Sequence, residues 1–262
     1  MIKKLHTEGL SIKNDKVIVC NAQDSESDLM NLLDTDIYES NFLNNTYYFG
    51  YKFNSNASRK DRTIIIKWLK GLGSDNIDDI TLRQFIRKPL TALNKRTNVT
   101  TFDLIIYPRS GRSNLTKVII SELNKLTSHN TQRKSFELVK SLPDSISFDW
   151  EMFNADYDGE IGDNQYNQIR NYIENTLIPK IHDLSYFSIA DNVKYKYRPY
   201  IQNYLEYETK DQENLVNAIE NGKILIVDDI NTSGSTLTEI LRIVNAINNN
   251  CEIYIFTLIG KE

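Results

Sequence analysis

Two adjacent carboxylates, Asp228 and Asp229, end an apolar run of Ile224, Leu225, Ile226 and Val227. A short polar loop follows: Asn231, Thr232, Ser233, Gly234 and Ser235. After Thr236, the residues Leu237, Ile240, Leu241, Val244 and Ile247 recur at helical spacing. Small loop residues let the backbone come close to an anion. The first N–H groups of a helix are unpaired, and its dipole favours negative charge there. The hydroxyls of Thr232, Ser233, Ser235 and Thr236 add donors. These residues describe a cradle for a phosphate monoester. Carboxylates beside such a cradle do not hold the phosphate, because like charges repel. They accept hydrogen bonds from sugar hydroxyls, or share a Mg²⁺ through oxygens and waters. Phosphate on one side with hydroxyls or metal on the other fits a ribose 5-phosphate.

The elements that position these groups are a buried parallel strand, a loop and a helix, and ligands of open α/β sheets sit at the carboxyl ends of the strands. A second unit of this kind starts near Phe102. Phe102 to Tyr107 (FDLIIY) reads as a buried strand, and Leu115, Val118, Ile119, Leu123 and Leu126 as a helical stripe. The loop between them carries Arg109, Ser110, Gly111, Arg112 and Ser113. Arginine forks suit phosphate oxygens, and glycine permits close backbone approach. Taken alone, a turn of this kind is more often simply solvated; its position after a core strand is what raises the phosphate reading.

Residues 227–236, VDDINTSGST, resemble the phosphoribosyl pyrophosphate (PRPP) motif of the type I phosphoribosyltransferases. The resemblance implies that Asp228 and Asp229 contact the ribose hydroxyls and help hold Mg²⁺, directly or through water and PRPP. It implies that Asn231, Thr232, Ser233, Gly234, Ser235 and Thr236 bind the 5-phosphate. It assigns pyrophosphate to the first core loop, here Arg109, Ser110, Gly111 and Arg112. The implied activity is Mg²⁺-dependent transfer of phosphoribosyl from PRPP to a nitrogenous small-molecule acceptor with release of pyrophosphate. Alternatives on the same fold are a PRPP- or nucleotide-binding regulator without turnover and a nucleotide hydrolase. An acidic pair after a strand also occurs in receiver-type domains, but near their N-terminus, and a plain surface turn is the remaining reading.

Two departures from the family pattern stand out. From Arg109 to Asp228 is 119 positions (228 − 109), longer than in the family, so an insertion is expected around 150–212. One strand follows the motif, so the hood over the acceptor must come from 1–100, the insertion, or both. Thr232 stands where purine-salvage members carry an acidic base, which argues against a hypoxanthine-guanine type of enzyme.

Composition sets the frame. The chain of 262 residues is 40% hydrophobic and 25% charged, as for a globular protein with a sizeable core. A net charge of −4 argues against nucleic acid as a partner. No run is long enough to span a membrane and the start lacks a secretory signal, so the expected location is the cytoplasm. Cys20 and Cys251, in apolar runs, read as buried reduced thiols. Over 1–100 the expected elements are a strand at 16–22, a helix at 24–36, an aromatic strand or strand pair at 47–53, and helices at 58–70 and 81–95, the latter kinked or restarted at Pro89. Further on, 134–142 reads as the second core strand and 154–168 as a polar loop able to close over the site. A helix carrying Ile169, Tyr172, Ile173 and Leu177 ends near Pro179, and 211–221 is a further helix. At 193–200 a strand would place Lys194, Lys196 and Arg198 on one face, either meeting pyrophosphate or guarding a solvated edge. Members of the family are often dimers, so a homodimer is an expectation of the resemblance. The expected fold is α/β: a type I phosphoribosyltransferase-like parallel sheet flanked by helices in a core over 101–262, with an α+β N-terminal segment over 1–100 and an inserted hood.

Overall fold

A computed structural model describes residues 8–13, 16–21, 30–32, 36–73, 77–111, 113–126, 134–157, 161–208, 212–220 and 222–260. The chain begins with strands β1 (Glu8–Lys13), β2 (Lys16–Asn21), β3 (Met30–Leu32), β4 (Tyr38–Phe42) and β5 (Asn45–Phe53). Helices α1 (Arg59–Leu69) and α2 (Asp79–Thr97) lead to β6 (Leu104–Pro108), α3 (Leu115–Leu126) and β7 (Lys134–Lys140). A long excursion holds β8 (Ser147–Phe148), α4 (Trp150–Tyr157), α5 (Asp163–Tyr172), α6 (Ile178–His182), α7 (Ile189–Asn192) and β9 (Ile201–Gln202), and returns as β10 (Leu205–Tyr207). Then come α8 (Gln212–Glu220), β11 (Lys223–Ile230), α9 (Ser235–Ile247) and β12 (Glu252–Gly260).

The fold is α/β: besides a separate two-stranded antiparallel sheet of β8 and β9, it has a ten-stranded mixed sheet in the order β10-β7-β6-β11-β12-β5-β3-β1-β2, with β4 paired to β5. Its centre, β7-β6-β11-β12-β5, is parallel throughout. Parallel strands covered on both faces carry continuous apolar sequence, which is why Ile224, Leu225, Ile226 and Val227 are all fully buried. On one face, Leu225 and Val227 meet α1, α2 and α3 through Ile65, Leu90 and Ile119. On the other, Ile224 and Ile226 meet α8, α9 and the excursion through Leu215, Ile240 and Phe153.

Several expectations change. The helix expected over 24–36 is replaced by β3 where it is described, over Met30–Leu32; 22–29 and 33–35 lie outside the described residues. The aromatic stretch is the single strand β5, buried from Tyr47 to Tyr51 rather than alternating, because strands flank it on both sides and layers cover both its faces. Its aromatic rings pack the core: Tyr47 bonds Thr257 at 2.7 Å, and Tyr51 stacks on Phe85 at 3.9 Å. Since β5 pairs with β12, the boundary expected at residue 100 does not divide the sheet. Helix α2 runs unbroken through Pro89, whose flanking Phe85, Ile86, Leu90 and Leu93 are buried; burial of that face offsets the lost helical hydrogen bond. The expected loop over 154–168 is mostly helical, in α4 and α5; Ile161 and the extended N-cap Gly162 are non-helical, and 158–160 are not described. The helix expected to end near Pro179 continues through a π-turn (Ile173–Leu177) into α6. The strand expected over 193–200 is a 3₁₀ segment, Tyr195–Tyr200, so its basic residues do not share a strand face. Each instead has its own aromatic neighbour: Lys194 over Tyr172, Lys196 over Tyr197, and Arg198 over Tyr195. Cys251 is a free, half-buried thiol donating to the Asn248 carbonyl; the Cys20 side chain lies outside the described set. Among the described residues no helix is long and apolar enough to cross a membrane.

Candidate functional site

Sheet topology locates the crevice. After β6 the chain crosses by α3 on one face to reach β7; after β11 it crosses by α9 on the other face to reach β12. Strands β6 and β11 are neighbours, so their following loops part in opposite directions and leave a gap, the usual place for a ligand in an open α/β sheet. Both loops singled out in the sequence border that gap.

Side chains alternate along a strand, so Asp228 lies on the α9 side and Asp229 on the α1 side. Both are buried, 8% and 4% exposed, at the carboxyl end of a central strand. Asp229 Oδ2 is 2.9 Å from Lys70 Nζ, on the residue that closes α1. The Asp229 amide donates to Asp228 Oδ1 at 2.8 Å. Burial, and then the neighbouring Asp229, push the Asp228 carboxyl up to about 7, although Lys70 and Lys140 pull it down. For Lys70, burial acts to lower the pKa, and the charge and hydrogen bond of Asp229 reverse the direction. Lys140, the last residue of β7, lies 5.2 Å from the Tyr204 ring centroid; burial lowers its pKa against the pull of Asp228 and Glu239. Two lysines from distant elements thus bracket the acidic pair. Behind them Glu239 is buried and held by a bidentate pair from Arg242, 2.9 Å each. The Tyr204 hydroxyl is buried without a hydrogen bond by geometry, although Thr236 lies near enough to influence it.

The loop after the acidic pair leads into a helix start that no side chain caps. Gly234 is the N-cap of this helix, α9, at φ 77°. The first N–H groups of a 13-residue helix are therefore open toward the loop. The Ser233 and Ser235 hydroxyls pair at 2.9 Å. A Cβ on Gly234 would meet Phe42 Cε2 at 2.8 Å, so this position requires glycine for both backbone and space. Tyr195 of the excursion donates to the Thr232 carbonyl at 3.3 Å.

The arginine loop is less open. Arg109 bonds Glu137 at 2.8 Å and Glu208 at 3.2 Å, both on the β7–β10 side of the sheet. It does not meet the acidic pair. The Ser110 hydroxyl accepts from the Ser113 amide, and the Ser113 hydroxyl from Leu115 at the start of α3, so this helix start is capped where that of α9 is not. A Cβ on Gly111 would meet the Tyr186 hydroxyl at 2.6 Å. Arg112 lies outside the described residues. The excursion therefore reaches both loops, Tyr186 at the first and Tyr195 at the second.

No group of three or more His, Cys, Asp or Glu side chains able to hold a metal occurs among the described residues. Asp228 and Asp229 nonetheless fit Mg²⁺ of the kind held by one or two carboxylates together with substrate oxygens. Sequence reasoning missed Lys70, Lys140, Tyr186 and Phe42 as parts of this site. A lysine at the carboxyl end of a core strand could have marked Lys140; nothing in the sequence marks the others. Neither a scan of protein-family models nor a search of curated proteins finds a match to this chain.

Proposed function

We propose that the chain is a Mg²⁺-dependent phosphoribosyltransferase of the type I kind, moving phosphoribosyl from PRPP to a nitrogenous small molecule and releasing pyrophosphate. One observation carries this reading: a buried acidic pair lies directly before an uncapped helix N-terminus at the switch point of the sheet. The helix start and the hydroxyls of 232–236 suit the 5-phosphate. Asp228 and Asp229 suit the ribose hydroxyls as acceptors. Lys140 and Lys70 supply positive charge beside them, and leaving pyrophosphate gains from cations as its charge develops. Bound Mg²⁺ would rest on Asp228, Asp229 and PRPP oxygens and would stabilise charge on pyrophosphate. The tyrosine-bearing excursion touches both loops, Tyr186 at Gly111 and Tyr195 at Thr232, and would help to shield a reaction with oxocarbenium character from water.

A second reading, a regulator that binds PRPP or a nucleotide without turnover, draws on Arg109 being engaged by Glu137 and Glu208 and Asp229 by Lys70. Calorimetric titration of PRPP with and without Mg²⁺ tests the pocket. Binding should require Mg²⁺ and weaken at least tenfold in Asp228→Asn/Asp229→Asn; unchanged binding in that variant would sink both readings. Pyrophosphate release with an acceptor then separates enzyme from regulator.

A further inference from the structure

A cavity of about 680 Å³ opens beside the phosphate loop, where β5, β11 and β12 end against α1. Helix α1 lines it with Arg59, Arg62, Thr63 and Ile66, at spacings of three, four and seven that share one helix face. Four residues further on, the same stripe reaches Lys70, the partner of Asp229. One helix face thus runs from the cavity to the acidic pair. The facing wall is Ile230, Asn231 and Thr232, the entry to the loop, and Tyr195 adds an aromatic side.

The lining combines cations with apolar surface. Arg62 lies 5.6 Å from the Phe53 ring centroid and donates to the Ala57 carbonyl. The Arg59 guanidinium is exposed and has no hydrogen-bond or ion-pair partner among the described residues. Asp61, the acid in this turn of α1, is committed to the capping box with Ser58. That box takes the Asp61 amide at the start of α1, so this helix start is capped where that of α9 is not. An unpartnered guanidinium fork beside flat apolar walls suits a planar carboxylate, and the volume suits a small ring compound.

We propose that this cavity takes the acceptor of the transfer and that the acceptor is a planar nitrogen heterocycle bearing a carboxylate, held by Arg59. This rests on the phosphoribosyl reading above. The ring nitrogen forms the bond to ribose C1 as the C1–O bond to pyrophosphate breaks; the electron pair leaves with pyrophosphate, and the nitrogen's proton, where it has one, goes to solvent.

The test is calorimetry on the full chain with matched probes, pyridine-3-carboxylate against pyridine-3-carboxamide and uracil-6-carboxylate against uracil, each with ribose 5-phosphate and Mg²⁺ present in place of PRPP, so that no transfer runs during the titration. PRPP is titrated separately, and Arg59→Ala is run beside wild type. At least one carboxylate should bind tenfold or more tighter than its neutral partner. Arg59→Ala should erase that preference while PRPP affinity changes less than twofold. If PRPP binds but no carboxylate is preferred, or the preference survives Arg59→Ala, the anionic acceptor is wrong and the phosphoribosyl reading stands. Inorganic phosphate displacing the carboxylate, with equal sensitivity to Arg59→Ala, would make this a phosphate site and overturn the assignment. PRPP failing to bind wild type would remove the phosphoribosyl reading and the acceptor role together.

Discussion

Asp228 sits at the limit of what a fold tolerates. Its carboxyl is buried beside a second carboxylate, and together these push it up to about 7, above the usual acid range. Between the unfolded value near 4 and the folded value near 7, the unfolded chain gives up a proton that the folded chain keeps. Stability from this group therefore falls as pH rises through that window, and the penalty is full above 7. Asp228→Asn should raise the melting temperature at pH 8 in the absence of Mg²⁺, with the gain fading toward pH 4. A variant equally shifted at both pH values would contradict this account. Gly234 shows the converse: φ 77° and the Phe42 ring leave no room for a side chain. Gly234→Ala should cost about 2 kcal/mol by chemical denaturation, from left-handed strain plus overpacking, and should weaken PRPP at least tenfold.

At the scale of elements, the strand–acid–loop–helix unit is local, so it was legible: Ile224, Leu225, Ile226 and Val227, the acidic pair and the stripe of α9 lie in one unbroken stretch. The excursion between β7 and β10 was legible only as extra length. Its polar sequence suggested a loop over 154–168, yet α4 and α5 occupy most of it; α5 itself buries no residue, and the segment is anchored at its flanks, where Phe153 and Ile173 are buried. The β4–β5 hairpin, whose Phe42 covers Gly234, turns through Leu43 and Asn44, both at positive φ. Leu43, at φ 48° and more than half exposed, gains little from its side chain. Leu43→Asn should stabilise the fold by about 1 kcal/mol, since asparagine tolerates this conformation, read as a rise of about 2–4 °C in melting temperature.

Across the whole molecule, helix layers must hold both faces of the sheet in register for the gap between β6 and β11 to persist. Glu122 on α3 is one clamp: buried, it accepts from Arg83 and Arg87 of α2 and from Lys125. Burial alone would raise its pKa, but hydrogen bonds from Lys125, Arg87 and Arg83 hold it at about 2. Its contribution is complete above the unfolded value near 4.5 and is lost as pH falls toward 2. Glu122→Gln should cost about 2 kcal/mol at pH 7 in urea denaturation, less than a fully buried pair because the arginines reach solvent. The difference from wild type should close by pH 2.

The sequence by itself determined a parallel strand ending in two carboxylates, a small-residue polar loop and the helix behind it, because hydrophobic period, small residues and helix start act within about twenty positions of one another. Only the tertiary structure decided that Lys70 and Lys140 bracket the acids, that Arg109 turns to Glu137, that β5 completes the sheet beside β12, and that a cationic cavity adjoins the loop. Those depend on which strands become neighbours and which face each helix covers, and burial over the whole chain selects that arrangement rather than any local signal.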